Sequence, residues 1–128
     1  MQLLSWTDTP DTRHLFEEAK YLGIDISVGF AERTVKGKGY NTSVYYSAKK
    51  GEVTTKCQKL HLPGTVERFE NPDIVNQLEN RYFEPVNLDF KAFRAPDILD
   101  GVAKKGSGEP GGGKGDPVMG MLICNDRR

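Results

Sequence analysis

Apolar residues near the start of the chain recur at helical spacing, at Leu15, Phe16, Ala19 and Leu22. This spacing predicts an amphipathic helix. Pro10 follows a capping residue and suits the first helical position, while Gly23 is a typical helix end. We therefore expect a helix between these two residues.

The pattern then changes to alternation of apolar and polar positions from Ile24 to Ala31, which predicts a strand with one apolar face. Segments 41–48 and 53–58 predict two further strands, joined by a turn at 49–52 as in a hairpin. Pro63 and Gly64 break the chain. A helix over 73–82, a short strand over 88–93 and a last strand over 118–124 complete a mixed α/β pattern without internal repeats.

Composition excludes several classes of protein. The 128 residues include 18 basic and 18 acidic side chains, so no field of one sign attracts nucleic acid or an anionic membrane. The sequence contains neither a long apolar stretch nor a signal peptide. Two cysteines do not form a disulfide framework, which favours a reducing, cytoplasmic setting. The two histidines form no ligand cluster with the cysteines, so we expect no metal and no other cofactor.

A polar, glycine-rich segment at 103–117 contains two near matches to phosphate-binding motifs. Gly106, Gly108 and Gly111 fit G-x-G-x-x-G, and Lys114 nearly completes a P-loop. Both motifs require a strand before them and a helix after them. Here a polar stretch precedes the motif and a strand follows, so we interpret 103–117 as a surface insertion.

The last predicted strand carries an apolar run to Cys124, and Arg127 and Arg128 follow within four residues. A strand that ends at a cysteine would hold the thiol rigidly. Two guanidiniums nearby would favour the reactive thiolate and could bind a carboxylate. The pattern indicates a nucleophile beside an anion-binding site, although either cysteine could instead be a small buried apolar residue.

Three motifs occur in order along the chain. They are K-x-H-L-P-G from Lys59 to Gly64, L-E-x-R-Y-F-E-P from Leu78 to Pro85, and M-G-M-x-I-C-N-D-R-R from Met119 to Arg128. Alone, Lys59 would be a solvated charge and Glu79 a surface ion-pair partner. Together the motifs resemble the nitrilase superfamily of carbon–nitrogen hydrolases, with the closest likeness to N-carbamoyl-D-amino-acid hydrolases. The resemblance covers nearly the whole chain except the glycine-rich insertion.

The resemblance implies a four-layer α-β-β-α sandwich, of which residues 1–128 would form an incomplete central portion. It also implies hydrolysis of the carbamoyl amide bond of N-carbamoyl amino acids, which releases amino acid, ammonia and carbon dioxide. The partner would be a small-molecule substrate, and family members typically form homo-oligomers.

Site residues follow from the same resemblance. Cys124 would attack the carbamoyl carbon, Lys59 would stabilise the oxyanion, and Glu79 would hold the lysine in place. The residues expected to contact the substrate are Asn125, Arg127, Arg128 and His61. A planar guanidinium suits the carboxylate of an amino acid.

Several departures from the family pattern leave alternatives open. The general-base glutamate of the family lies upstream of the hairpin, in a segment that this chain does not contain, and Glu32 matches a different family position. The half of the fold that follows the nucleophile is also missing. Gln77 stands where the family often has histidine, and Val86 and Asn87 replace a familiar Gly-Asp pair. We therefore expect a truncated chain that is inactive alone. The alternatives are a nitrilase, an aliphatic amidase, a ureidopropionase-like hydrolase, or a non-enzymatic remnant.

Overall fold

The computed structural model describes residues 9–86, 90–95 and 117–127. Its elements in chain order are helix α1 (Pro10–Leu22), strands β1 (Ile26–Arg33), β2 (Gly39–Ser47) and β3 (Glu52–Gln58), helix α2 (Glu79–Tyr82), strands β4 (Phe93–Arg94) and β5 (Val118–Met119), and a 3-10 turn (Cys124–Arg127). The glycine-rich insertion predicted at 103–117 lies outside the described residues except for Pro117.

Helix α1 has the limits that the sequence predicts. It begins at Pro10, and Gly23 ends it with a φ of 68°, a left-handed conformation that glycine adopts at little cost. The buried face of the helix is smaller than the predicted apolar stripe, because Leu15 and Leu22 are exposed. Only the middle of the stripe packs against the protein.

Strands β1, β2 and β3 form one sheet in that order. The connections at 34–38 and 48–51 are too short for a parallel crossover, so neighbouring strands run antiparallel. All three predicted strands are confirmed, although the first begins at Ile26, two residues later than the alternation suggested. As the central strand, β2 is the most buried of the three.

The chain divides into two compact units. The described part of the first comprises 9–27, 45–55, 92–95 and 117–120. That of the second comprises 28–44, 56–86, 90–91 and 121–127. The residues of the predicted site all belong to the second unit.

In the first unit, side chains cover both faces of the sheet. Tyr45 and Tyr46 are consecutive in β2, so they point to opposite faces. The ring of Phe16 in α1 lies 5.0 Å from that of Tyr46, and the ring of Phe93 in β4 lies 4.9 Å from that of Tyr45. The helix therefore packs on one face and β4 on the other.

Three sequence predictions are wrong in extent. Of the strand expected over 88–93, the structure describes 90–93, and only Phe93 there belongs to a strand, β4. The helix expected over 73–82 is reduced to Glu79–Tyr82, because Gly64 forms an antiparallel bridge with Leu78 that occupies backbone groups a longer helix would use. The strand expected over 118–124 ends at Met119, where its pairing with β4 stops. The backbone then continues without ladder bonds to the 3-10 turn.

The fold combines helices and sheets, as the α/β class requires. Helices and antiparallel strands combine in an arrangement compatible with an α/β nitrilase-like fold. The four-layer sandwich stays a prediction.

Candidate active site

Lys59 is one of two buried charged residues within the described ranges, the other being Asp126. It follows the last residue of β3, and its backbone N–H donates to the carbonyl of Asn41 at 2.8 Å. Its side chain is 1% exposed, and Nζ lies 2.8 Å from both carboxylate oxygens of Glu79. A buried ammonium is tolerated only with such a partner, since an unpaired buried charge costs several kcal/mol.

Glu79 is held from two directions. It is the first residue of α2, and its carboxylate accepts a hydrogen bond from Asn41 Nδ2 at 3.4 Å as well as those from Lys59. Asn41 thus contacts both members of the ion pair, one through its backbone and the other through its side chain. This arrangement fixes the ammonium at the end of the sheet. A lysine ammonium has three N–H groups, and Glu79 engages at most two.

Cys124 adopts an unusual backbone conformation. Its φ is 51°, the only positive value at a non-glycine position within 9–86, 90–95 and 117–127. Such a conformation costs an L-residue roughly 1 to 2 kcal/mol. The side chain is exposed, and both Cys124 and Cys57 are thiols. The prediction that Cys124 ends a strand is wrong. Cys124 is the first residue of a 3-10 turn, so its thiol lies on a tight bend of the backbone.

Asp126 joins this turn to the lysine segment. Its carboxylate is completely buried, and Oδ1 accepts hydrogen bonds from the backbone N–H groups of Leu60 at 3.0 Å and His61 at 2.8 Å. Asp126 lies two residues after Cys124, and Leu60 directly follows Lys59. The same hydrogen bonds therefore connect the segment of the candidate nucleophile to the segment of the lysine. His61 itself is exposed, with Nδ1 3.4 Å from Asp126 Oδ1.

A second link lies on the other side of the turn. The thiol of Cys57 in β3 donates to the carbonyl of Met121 at 3.6 Å. Burial raises the pKa of the Cys57 thiol, and the negative charge of Asp126 raises it further. The raised pKa keeps the Cys57 thiol protonated, so that it can donate this hydrogen bond, whereas a nucleophilic cysteine reacts as the thiolate.

The predicted substrate-binding residues are only partly described. Asn125 and Arg127 belong to the 3-10 turn, but their side chains lie outside the described residues, and so does Arg128. The roles predicted for these three residues stay predictions. His61 lies beside the turn, through its contact with Asp126, and its predicted contact with the substrate stays a prediction.

Two residues with clear positions in the site were given no role by the sequence. Asp126 lies within the C-N-D-R-R motif, and a carboxylate two residues after a candidate nucleophile could have drawn attention to it. Asn41 had no comparable signal, because its contacts with Lys59 and Glu79 bridge distant parts of the chain.

The described ranges contain neither a metal-ligand cluster nor a membrane-spanning helix. No three His, Cys, Asp or Glu side chains gather there as a group that could hold a metal ion. None of the helices in those ranges is long and apolar enough to cross a membrane.

Comparison with known families shows which family the sequence matches. The family model described as carbon-nitrogen hydrolase matches residues 1–128, the full length of the sequence. The order of the lysine, glutamate and cysteine motifs and the proximity of their segments agree with that match. The chain belongs to the carbon-nitrogen hydrolase family, within the nitrilase superfamily.

Proposed function

We propose that this chain carries the nucleophile, the lysine and one glutamate of an enzyme that hydrolyses N-carbamoyl amino acids. The family implies hydrolysis of carbon–nitrogen bonds. The single observation that carries the proposal is the hydrogen-bonded connection between the Cys124 turn and the segment that follows Lys59. It connects the turn that carries the Cys124 thiol to the segment that directly follows the buried Lys59.

The proposed reaction has two stages. Cys124 Sγ attacks the carbamoyl carbon, and the N–H of Lys59 not engaged by Glu79 stabilises the oxyanion that develops. The tetrahedral intermediate collapses with cleavage of the carbon–nitrogen bond, and the amino acid leaves with a proton. Water then attacks the S-carbamoyl enzyme and releases carbamic acid, which decomposes to ammonia and carbon dioxide.

We assign none of the carboxylates of Glu79, Asp126 and Glu32 as the acceptor of the thiol proton, because each already accepts hydrogen bonds from other groups. Lys59 engages Glu79, two backbone amides engage Asp126, and three donors engage Glu32. This observation favours a second candidate: a non-enzymatic remnant or partner-binding chain, which would show no turnover when residues 1–128 are assayed alone.

Substitution of the nucleophile tests the proposal. In the intact protein that contains these residues, we expect Cys124→Ala to lower kcat for an N-carbamoyl amino acid by roughly a thousandfold or more, because no covalent intermediate can form. Cys57→Ser, which keeps a donor for the Met121 carbonyl, should retain turnover. A normal rate in Cys124→Ala would overturn the proposal.

The substrate class is tested with Arg128. If its guanidinium binds the α-carboxylate, Arg128→Gln should raise KM for N-carbamoyl amino acids and leave KM for neutral amides nearly unchanged. Arg68→Gln removes an exposed guanidinium elsewhere and serves as the control. An equal rise for both substrate types would favour a nitrilase, an aliphatic amidase or a ureidopropionase-like activity.

A further inference from the structure

The Asp126 carboxylate makes an unusual set of hydrogen bonds for a side chain with no solvent exposure. Oδ1 accepts from the backbone N–H groups of Leu60 and His61, and Oδ2 lies 3.4 Å from the N–H of Ile123. The backbone N–H of Asp126 in turn donates to the carbonyl of Ile123 at 3.2 Å. One side chain therefore closes its own turn and attaches that turn to another segment.

Both ends of this set of bonds adjoin the proposed chemistry. Leu60 directly follows Lys59, whose ammonium is fixed by Glu79. Cys124 precedes Asp126 by two residues and lies inside the turn that Asp126 closes. Because the hydrogen bonds are made by a buried charge, they are stronger than those between neutral groups. They can offset the cost of the positive φ at Cys124.

We propose that Asp126 is a positioning residue that clamps the Cys124 turn to the backbone of Leu60 and His61 and so sets the spacing between thiol and ammonium. This inference rests on the proposed function, because it assigns Asp126 a role in the same reaction. Asp126 does not contact the reacting atoms. It acts through the geometry of Cys124 and Lys59, and misplacement of a nucleophile by about 1 Å can cost roughly a hundredfold in rate.

A competing interpretation is that Asp126 serves the imidazole of His61. The ring contact, at 3.4 Å, is longer than either backbone contact, and the ring is about half exposed. His61→Ala separates the two interpretations because it removes the ring and keeps the backbone N–H. If His61→Ala accelerates hydrogen exchange at the Leu60 amide as much as Asp126→Ala does, the ring rather than the clamp holds the turn and the inference fails.

The experiment compares Asp126→Ala, Asp126→Asn and the exposed control Asp73→Ala in the intact protein. Two quantities are measured: hydrogen exchange at the Leu60 and His61 amides by NMR, and kcat and KM for an N-carbamoyl amino acid. Asparagine keeps one oxygen that can accept both N–H groups, so it provides the conservative rescue.

We expect Asp126→Ala to accelerate exchange at both amides at least tenfold and to lower kcat roughly a hundredfold, with KM changed less than threefold. Asp126→Asn should keep both amides protected and lose less than tenfold in kcat. Asp73→Ala should match the unsubstituted protein. Unchanged exchange or unchanged kcat in Asp126→Ala overturns the inference.

If Asp126→Ala does not fold, the positioning role is tested by Asp126→Asn alone. Protected amides with a kcat loss beyond a hundredfold would show that charge rather than position matters, and would overturn the inference. A loss under tenfold with protected amides supports it. Cys124→Ala distinguishes the two levels of failure: if it is inactive while Asp126→Ala is normal, the positioning role fails and the proposed function stands.

Discussion

Glu32 illustrates a carboxylate whose environment suits it to structure. Its side chain lies at the end of β1 and accepts hydrogen bonds from Lys56 at 2.5 Å and from Thr42 and Gln58 at 2.8 Å each. Thr42 lies in the neighbouring strand β2, whereas Lys56 and Gln58 lie in β3. Burial disfavours the charged form, but the bonds from Lys56, Thr42 and Gln58 outweigh it and hold the pKa of Glu32 below its ordinary value of 4.5.

A lowered pKa makes the contribution of Glu32 to stability dependent on pH. The contribution is fully present above the unfolded pKa and is lost as pH falls through the lower, folded pKa. We expect Glu32→Gln to lower the free energy of unfolding by about 1 to 3 kcal/mol at neutral pH. Its further loss of stability below pH 4.5 should be smaller than in the unsubstituted chain.

Urea unfolding at neutral and acidic pH measures both effects. Glu67→Gln changes an exposed glutamate in the same unit and serves as the control. If Glu32→Gln and the unsubstituted chain lost the same stability between the two pH values, the hydrogen bonds to Glu32 would not carry the charge dependence.

Individual chemical groups were easier to find from the sequence than their partners. Cys124 and Lys59 stand out because their motifs are specific. Asn41 does not, because its two contacts depend on how the start of β2 lies beside residues 18 and 38 positions later. Such pairings follow from strand order, and residue type alone does not specify them.

At the scale of elements, the loop after Lys59 is fixed to the start of α2. Gly64 bridges Leu78, and Asn80 Nδ2 donates to the carbonyls of Leu62 at 3.3 Å and Gly64 at 2.7 Å. Gly64 has a φ of 87°. A Cβ at this position would lie 1.6 Å from the carbonyl oxygen of Gln77. Only glycine allows the two segments to approach this closely.

We therefore expect Gly64→Ala to separate the loop from α2 and to disturb the Lys59–Glu79 pair. The free energy of unfolding should fall by about 2 kcal/mol or more, since positive φ and overlap with a backbone atom act together. Thermal unfolding followed by circular dichroism provides the measurement. Gly120→Ala is the control, because an added Cβ meets no atom within 4 Å there. Equal stability of the two variants would contradict the packing.

The sequence predicts the elements that depend on local signals. Helix α1 and the three-stranded sheet follow from period and from glycine at turns. The helix expected over 73–82 does not form over its full length, in part because the side-chain oxygens of Asn71 and Asn76 accept hydrogen bonds from the backbone N–H groups of Asp73 and Phe69 instead. The strand expected up to Cys124 fails because ladder pairing stops and the Met121 carbonyl accepts from a thiol. Neither the asparagine hydrogen bonds nor the thiol contact can be predicted from the pattern of apolar and polar residues.

At the scale of the whole molecule, apolar surface remains uncovered. Among the described residues, the buried apolar set has seven members, whereas thirteen large apolar side chains are exposed. In α1, Leu15 and Leu22 lie seven positions apart, so they share one helix face. Exposed apolar groups on one face are typical of surfaces that contact another chain. The expectation of a homo-oligomer therefore remains a proposal with a physical basis.

If the exposed face of α1 mediates association, sedimentation velocity should show larger species as concentration rises over roughly a hundredfold range. Burial of a leucine contributes about 1.5 to 3 kcal/mol, so Leu15→Glu with Leu22→Glu should weaken association by roughly a hundredfold or more. Val35→Glu makes the same chemical change at an exposed apolar position in the β1–β2 turn, and it should associate as the unsubstituted chain does. A single species at every concentration, or equal weakening by Val35→Glu, would contradict an interface on α1. Association that depends on the two leucines alone would mean that this helix face is covered by another copy of the chain.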